Sequence, residues 1–150
     1  MTDVVEAVIQ DITAKVRNTR VVRQKTVSVY GQEDLLNAKI KLSYPCAGVL
    51  YLGMQSNGSK SGAGVSVDIT CEVYLIGGTI CESQAEQQKS KVLSALAEIR
   101  SAILDQTAQV TGARRAWSFK KEVPVALKDA EGVELLAYVQ RWSTVALLTS

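Results

Sequence analysis

The chain has 150 residues, of which 47% are hydrophobic and 21% charged, and its formal net charge is +2. These values are typical of one globular domain, residues 1–150, and exclude a disordered chain. The nearly balanced charge argues against nucleic-acid binding by bulk electrostatics. No apolar run reaches the roughly 18 residues that a membrane-spanning helix needs, and the acidic, amphipathic amino terminus is unlike a signal peptide. We therefore expect a protein made in the cytoplasm, with no membrane partner.

The first elements in chain order are a helix and a short strand. Residues 3–17 carry apolar side chains at helical spacing behind a capping pair, Asp3 and Glu6, and predict an amphipathic helix. The segment "TVSVY" further along predicts a strand. A short helical piece, "QEDLLNAK", is predicted to follow Gly31.

Two strands on either side of a glycine-rich segment come next. "YPCAGVLYLGM" predicts a buried strand at 46–54. "GVSVDITCEVYLIGG" alternates apolar and polar residues and predicts a strand at 64–76 with one buried and one wetter face. The predicted buried side of this strand holds Val65, Val67, Ile69, Cys71, Val73 and Leu75.

The second half of the chain predicts a long helix and a terminal hairpin. An S-x-x-E capping box precedes an apolar stripe that predicts a helix from about 84 to 106. "RRAWSFKKEVPVAL" and "GVELLAYVQRWSTVALL" flank a "KDAEG" turn and should pair, with Pro124 indicating an edge position or a bulge. Trp117 and Trp142 are expected in the core. The element order predicts an α+β fold, with a mostly antiparallel β-sheet and two α-helices packed on one face.

The residue types needed for common catalytic sites are missing or poorly spaced. The chain has no histidine, which removes the commonest general base and metal ligand. Its three cysteines, Cys46, Cys71 and Cys81, are odd in number and form no C-x-x-C motif, which argues against a zinc site or a disulfide framework. Asp68 and Glu72 share a strand face but would lie ~13 Å apart, too far to share a water. We predict no catalytic residue, no metal and no cofactor, and we do not expect an enzyme.

The glycine-rich segment "GMQSNGSKSGAG" at residues 53–64 fails as a phosphate loop. A phosphate loop needs G-x-x-x-x-G-K-[ST] between a strand and a helix, whereas here the lysine precedes the glycine and a strand follows. The predicted connection has about ten residues, although a tight hairpin needs only two to five. We interpret it as a polar loop that becomes ordered against a partner. The residues assigned to this interface are Gln55, Ser56, Asn57, Gly58, Ser59, Lys60, Ser61 and Gly62.

Basic residues and strand edges provide further interface candidates. One basic cluster comprises Arg17, Arg20, Arg23 and Lys25, and a second, assigned to the interface, comprises Arg114, Arg115, Lys120 and Lys121. Such clusters more often form a solvated face or pair with acidic partner surfaces than bind DNA. The strand at 64–76 and the terminal hairpin are candidate edges for recruiting a neighbour's strand. The apolar segment 145–148 either completes the core or contacts a subunit.

Several of these segments resemble the tail terminator proteins of Mu-like contractile-tailed bacteriophages. The resemblance rests on "YPCAGVLYLGM", the Gly/Ser segment, "GVSVDITCEVYLIGG", the long helix and the closing "YVQRWSTVALLT", and it covers about residues 3–148. It implies a virion structural protein without catalysis, which forms a hexameric ring, caps the tail tube, stops its growth and offers the head and neck an attachment surface. The implied location is the tail and neck region of the virion.

The resemblance also implies the partners. They are further copies of this chain, the tail tube protein with or without the tail sheath, and a neck or head-completion protein, with DNA only as passing cargo. The alternative is another head–tail connector or a tail tube protein.

Overall fold

The structure is a computed structural model that describes residues 3–19, 27–29, 46–61, 64–80, 85–104, 116–128 and 131–149. The described helices are α1 (Val4–Arg17) and α2 (Ala85–Ile103), and the described strands are β1 (Val27–Val29), β2 (Cys46–Ser61), β3 (Gly64–Thr79), β4 (Ser118–Lys128) and β5 (Glu134–Thr149). The strands form one sheet in the order β1-β2-β3-β5-β4. Only the pairing of β1 with β2 is parallel within this sheet. The predicted α+β fold is confirmed.

Both helices pack on the same face of the sheet. Their buried apolar residues are Val8, Ile12 and Val16 from α1 and Val92, Ala95, Leu96, Ile99 and Ile103 from α2. The sheet contributes alternate residues of β3 to this core: Val67, Ile69, Cys71, Val73 and Leu75. The alternation therefore predicted the core face of β3 correctly, except that Val65 at its start is 43% exposed.

The opposite face of the sheet is drier than predicted. A second buried apolar cluster lies there, formed by Cys46, Leu50, Tyr74, Ile76, Leu127, Leu135, Ala137 and Val139. Ser66 and Glu72, on the predicted wetter face of β3, are also buried. Buried polar groups need hydrogen-bond partners, so this face must be built around specific polar contacts.

The glycine-rich segment belongs to a strand, and the prediction of a long loop is wrong. β2 continues to Ser61, and β3 begins at Gly64. Two β-bulges interrupt the pairing of these strands, and Gly53 and Gly58 at the bulges have φ of 117° and 82°. Only glycine adopts such angles readily, so the glycines allow the bulges while the regular neighbour β3 keeps the polar segment extended.

The strand order corrects one predicted edge and confirms the other. β3 lies between β2 and β5, so its predicted role as a free edge is wrong. The terminal strands pair as an antiparallel hairpin, as predicted, and β4 is the edge strand that carries Pro124. Proline donates no ladder hydrogen bond, which suits an edge position.

Some predicted details differ, and others fall outside the described residues. Asp3 is the N-cap of α1, but its side chain makes no capping hydrogen bond, so the predicted capping pair is wrong. The short helix after Gly31, the second capping box and Cys81 lie outside the described residues, as do residues 20–25 of the first basic cluster.

A buried polar network joins α2 to the sheet. Gln140 in β5 is 0% exposed, and its Nε2 donates to the Leu96 carbonyl at 3.0 Å and to Glu122 Oε1 at 2.9 Å. Trp142 Nε1 donates to Gln140 Oε1 at 3.1 Å. Arg100 of α2 forms an ion pair with the same Glu122 carboxylate. These contacts fix the position of α2 against β4 and β5, because each buried polar atom needs its partner.

Both tryptophans lie in the core, as predicted, with Trp117 1% and Trp142 0% exposed. Trp117 Nε1 donates to Asp11 Oδ2 at 3.1 Å, and Asp11 also forms an ion pair with Lys15 at 2.6 Å. Trp117 thus anchors α1 to the segment that leads into β4.

Candidate subunit interface

The structure places the residues assigned to the interface in two groups. Gln55, Ser56, Asn57 and Gly58 are exposed on the far half of β2, and Lys120 and Lys121 are exposed on β4. Ser59, Lys60 and Ser61 continue β2, whereas Gly62, Arg114 and Arg115 lie outside the described residues. Because β3 and β5 separate the two strands, the groups lie toward opposite edges of the sheet.

Local contacts order the glycine-rich part of β2. Asn57 Nδ2 donates to Ser66 Oγ of β3 at 2.9 Å, and the backbone N–H of Gly58 donates to Ser56 Oγ at 3.3 Å. The first contact spans the bulge, where Ser66 faces an irregular stretch of β2. The polar side chains therefore compensate for ladder hydrogen bonds that a bulge interrupts.

An open groove of about 710 Å³ crosses the face of the sheet that lies opposite the helices. Among the residues that line it are Leu52 and Gln55 of β2, Asp68 of β3, Lys120 of β4 and Arg141 of β5. The groove thus includes one predicted interface residue from each group, Gln55 and Lys120. No local pattern in the sequence indicated that Leu52 or Arg141 would share a surface with them.

The best-defined charged contact at this face is an internal ion pair. Arg141 Nη2 lies 3.0 Å from Glu72 Oε2, and Tyr74 donates its hydroxyl to Glu72 Oε1 at 3.2 Å. Burial, the charge of Glu72 and this hydrogen bond raise the pKa of Tyr74, while Arg141 opposes the shift. The pair is structural in geometry, because each charge is matched within the sheet.

The described residues contain few side chains suited to metal binding or nucleophilic catalysis. No group of three or more His, Cys, Asp and Glu side chains among them could hold a metal ion. Burial raises the pKa of both Cys46 and Cys71 to about 12. These two thiols therefore stay protonated and weakly nucleophilic at neutral pH.

Exposed apolar side chains lie on β4 and on the part of β2 beyond Val49, where its pairing with β1 ends. On β2, Tyr51, Leu52 and Met54 are 39%, 43% and 46% exposed, and on β4, Phe119 and Val123 are 39% and 37% exposed. The sequence predicted a buried strand at 46–54, so the exposure of Tyr51, Leu52 and Met54 was not predicted. The one local signal was Gly53 within the apolar run, because an isolated glycine in a strand often marks a bulge.

Acidic and basic side chains accompany these apolar groups. The pKa of Tyr51 is raised by burial and, to a smaller extent, by the charges of Cys71 and Asp3. Asp68 lies opposite Gln55 in the β2–β3 pairing. The β4 edge instead carries Lys120 and Lys121. Both strands therefore present apolar groups, and β4 adds two exposed lysines to them.

Known proteins show the same fold. A chain of a solved structure titled "Virion of native gene transfer agent (GTA) particle" matches with a TM-score of 0.52 and 11% sequence identity, over 95% of this chain and 95% of that chain. At this identity the match shows a shared fold. No protein-family model and no curated protein sequence matches the chain. None of the helices in the described part of the chain is long and apolar enough to cross a membrane.

Proposed function

We propose that this protein is a structural component of a virion and, more specifically, a phage tail terminator. The observation that carries the proposal is the fold match to a virion chain over 95% of both chains. The resemblance of the β2, β3 and β5 segments to Mu-like tail terminators supports the finer role. In this role the protein forms a hexameric ring on the tail tube, stops tube growth and provides the attachment surface for the neck.

The partners follow from the same proposal. They are other copies of this chain, the tail tube protein with or without the sheath, and a neck or head-completion protein, with DNA passing through the ring as cargo. The proposed role is not enzymatic. It requires a rigid domain with unlike surfaces for unlike neighbours.

The mass of the purified protein in solution, measured by light scattering over a range of concentrations, is the first test. A ring of six chains of 16.2 kDa would have a mass of about 97 kDa that stays constant above a threshold concentration. Electron microscopy with purified tail tubes is the second test. A terminator should bind at one end of each tube and block further addition of tube subunits.

The alternative role, a tail tube protein or another connector, gives different results in the same measurements. A tube protein would give an open-ended mass distribution that grows with concentration, because its rings stack. A neck connector would form a closed ring but would fail to bind bare tube ends. A monomer that also fails to bind tubes would contradict the terminator proposal.

A further inference from the structure

The strand pairings show which residues of β2 and β4 lie at the same height in the sheet. Residues paired across the four central strands form rows, and one row runs from Tyr51 through Cys71 and Trp142 to Phe119. The next row runs from Leu50 to Lys121 through the pair Glu72–Arg141. For each residue of β2 in these rows, the residue of β4 at the same height is therefore known.

The part of β2 that pairs with β1 and the part beyond it lie in rows that end at different residues of β4. β1 pairs only with Ala47–Val49 of β2, and these rows end at Pro124, Val123 and Glu122 on β4. From Leu50 upward, β2 has no outer neighbour among the described residues. The uncovered rows of β2 thus end on β4 at Lys121, Phe119 and Ser118, which precede the proline that interrupts the edge.

The strand directions also suit pairing between these edges. β4 runs opposite to β5, β5 opposite to β3, and β3 opposite to β2, so β4 and β2 run in opposite directions. In a ring whose axis lies along the strands, β4 of one copy would meet β2 of the next copy as an antiparallel pair at the same height. Antiparallel addition to an exposed edge satisfies backbone hydrogen-bonding groups on both partners.

The side chains match on both faces of such a junction. On the helix side, the aromatic residues Tyr51 and Phe119 occupy the same row and are each 39% exposed. On the groove side, Leu52 of one copy would lie against the aliphatic stem of Lys120 of the next. Exposed apolar groups would therefore be covered on both faces of the junction.

We propose that β4 of one copy adds to the part of β2 of the next copy that no other described strand covers, through Ser118–Lys121 and Leu50–Gly53, and so extends the sheet from subunit to subunit. The proposal rests on the proposed ring and names the surface that forms it. The interface is heterologous, since two different edges meet, and repeated use of it closes a ring when the rotation per subunit allows.

Cysteine cross-linking tests the pairing directly. In the double variant Leu52→Cys/Lys120→Cys, the two positions of one chain lie about three strand spacings apart, roughly 14 Å at ~4.8 Å per strand, beyond the ~7 Å between Cα atoms that a disulfide spans. A disulfide between them must therefore join two chains. We expect mild oxidation to give a ladder of covalent oligomers on a denaturing gel, which reductant removes. The single variants Leu52→Cys and Lys120→Cys are the controls and should give no ladder.

A substitution at the edge supplies a second measurement. Leu52→Lys should raise the concentration needed for assembly at least tenfold, because it replaces an apolar contact with a positive charge close to Lys120 of the next copy. Leu93→Lys, on the exposed surface of α2 at 52% exposure, is the matched control and should leave assembly unchanged. Circular dichroism of both variants should match the parent protein, since both positions are exposed.

The outcomes separate this proposal from the terminator role. A ladder that ends at a closed species supports edge pairing and a ring, whereas a ladder without an upper limit supports edge pairing and contradicts a terminator. A closed oligomer without a ladder, with Leu52→Lys assembling normally, overturns edge pairing and leaves the terminator role standing. A protein that stays monomeric and gives no ladder at the highest concentration also overturns edge pairing, and tube-end binding then judges the terminator role alone.

Discussion

Replacing Gln140 with methionine should show how much the buried polar network stabilises the fold. Methionine has similar length and fits a buried site but offers no amide. The variant would leave Trp142 Nε1 without its acceptor in a fully buried position, which costs about 1–3 kcal/mol. It would also remove the hydrogen bonds to the Leu96 carbonyl and to Glu122. Glu122 keeps Arg100 as a partner, so that loss is the smaller part.

We expect the free energy of unfolding to fall by about 2–4 kcal/mol, which lowers the melting temperature by roughly 5–15 °C for a domain of this size. Urea unfolding measures this change in the free energy of unfolding, at a protein concentration that keeps both proteins in the same oligomeric state. The dependence of that free energy on urea concentration should be the same for both proteins. Gln55→Met, at an exposed position, is the control and should change stability by less than about 0.5 kcal/mol. A Gln140→Met protein as stable as this control would refute the assigned role of the network.

Three further predictions concern the core, a bulge and the buried thiols. Leu96→Asp should abolish cooperative unfolding, because it buries an unpaired charge beneath α2, whereas the exposed Leu93→Asp should melt as the parent does in a thermal scan. Gly58→Ala should cost about 1–2 kcal/mol in urea unfolding through its φ of 82° alone, since no atom lies within 4 Å of the added methyl group; an unchanged midpoint would contradict the bulge geometry. Cys46 and Cys71 should resist thiol reagents at pH 8 until urea unfolds the protein. The pKa of each thiol is about 12 in the folded protein, against the ordinary value of 9.0. Their contribution to the free energy of unfolding should therefore be fully present below pH 9 and be lost as the pH rises from 9 toward 12. An increase in the free energy of unfolding over that range would contradict their burial.

Short-range sequence patterns predicted the buried faces of the helices and of β3, and the edge position of β4. The period-two alternation of β3 identified Ile69 and Val73 as core residues, because a strand with one face against helices must alternate. The apolar spacing of α1 and α2 likewise predicted their buried faces. Pro124 correctly indicated an edge, since a missing N–H is tolerated only where no ladder bond is needed.

Features set by distant pairing could not be predicted in this way. The polar segment that ends at Ser61 has poor strand propensity, but β3 and its contacts with β5 impose the extended conformation on it. Whether a strand is an edge depends on the order of all strands, which no window of sequence contains, and β3 was misjudged for that reason. The pairing of Gln140 with Leu96, 44 residues away in the chain, is equally nonlocal.

The unequal lengths of the strands bear on how a terminator could distinguish its two ends. The last row that includes β4 ends at Ser118, opposite Ser143. Above it, β5 continues to Thr149, paired with β3 as far as Gly64, and β2 follows them. These three strands therefore extend beyond β4 at one end of the sheet only. Edge pairing through Ser118–Lys121 would leave this extension outside the junction between subunits. The predicted interface residues from Gln55 to Ser61 lie on it. In the proposed ring we therefore expect them to contact a partner along the ring axis, with the proposed edge pairing joining the subunits.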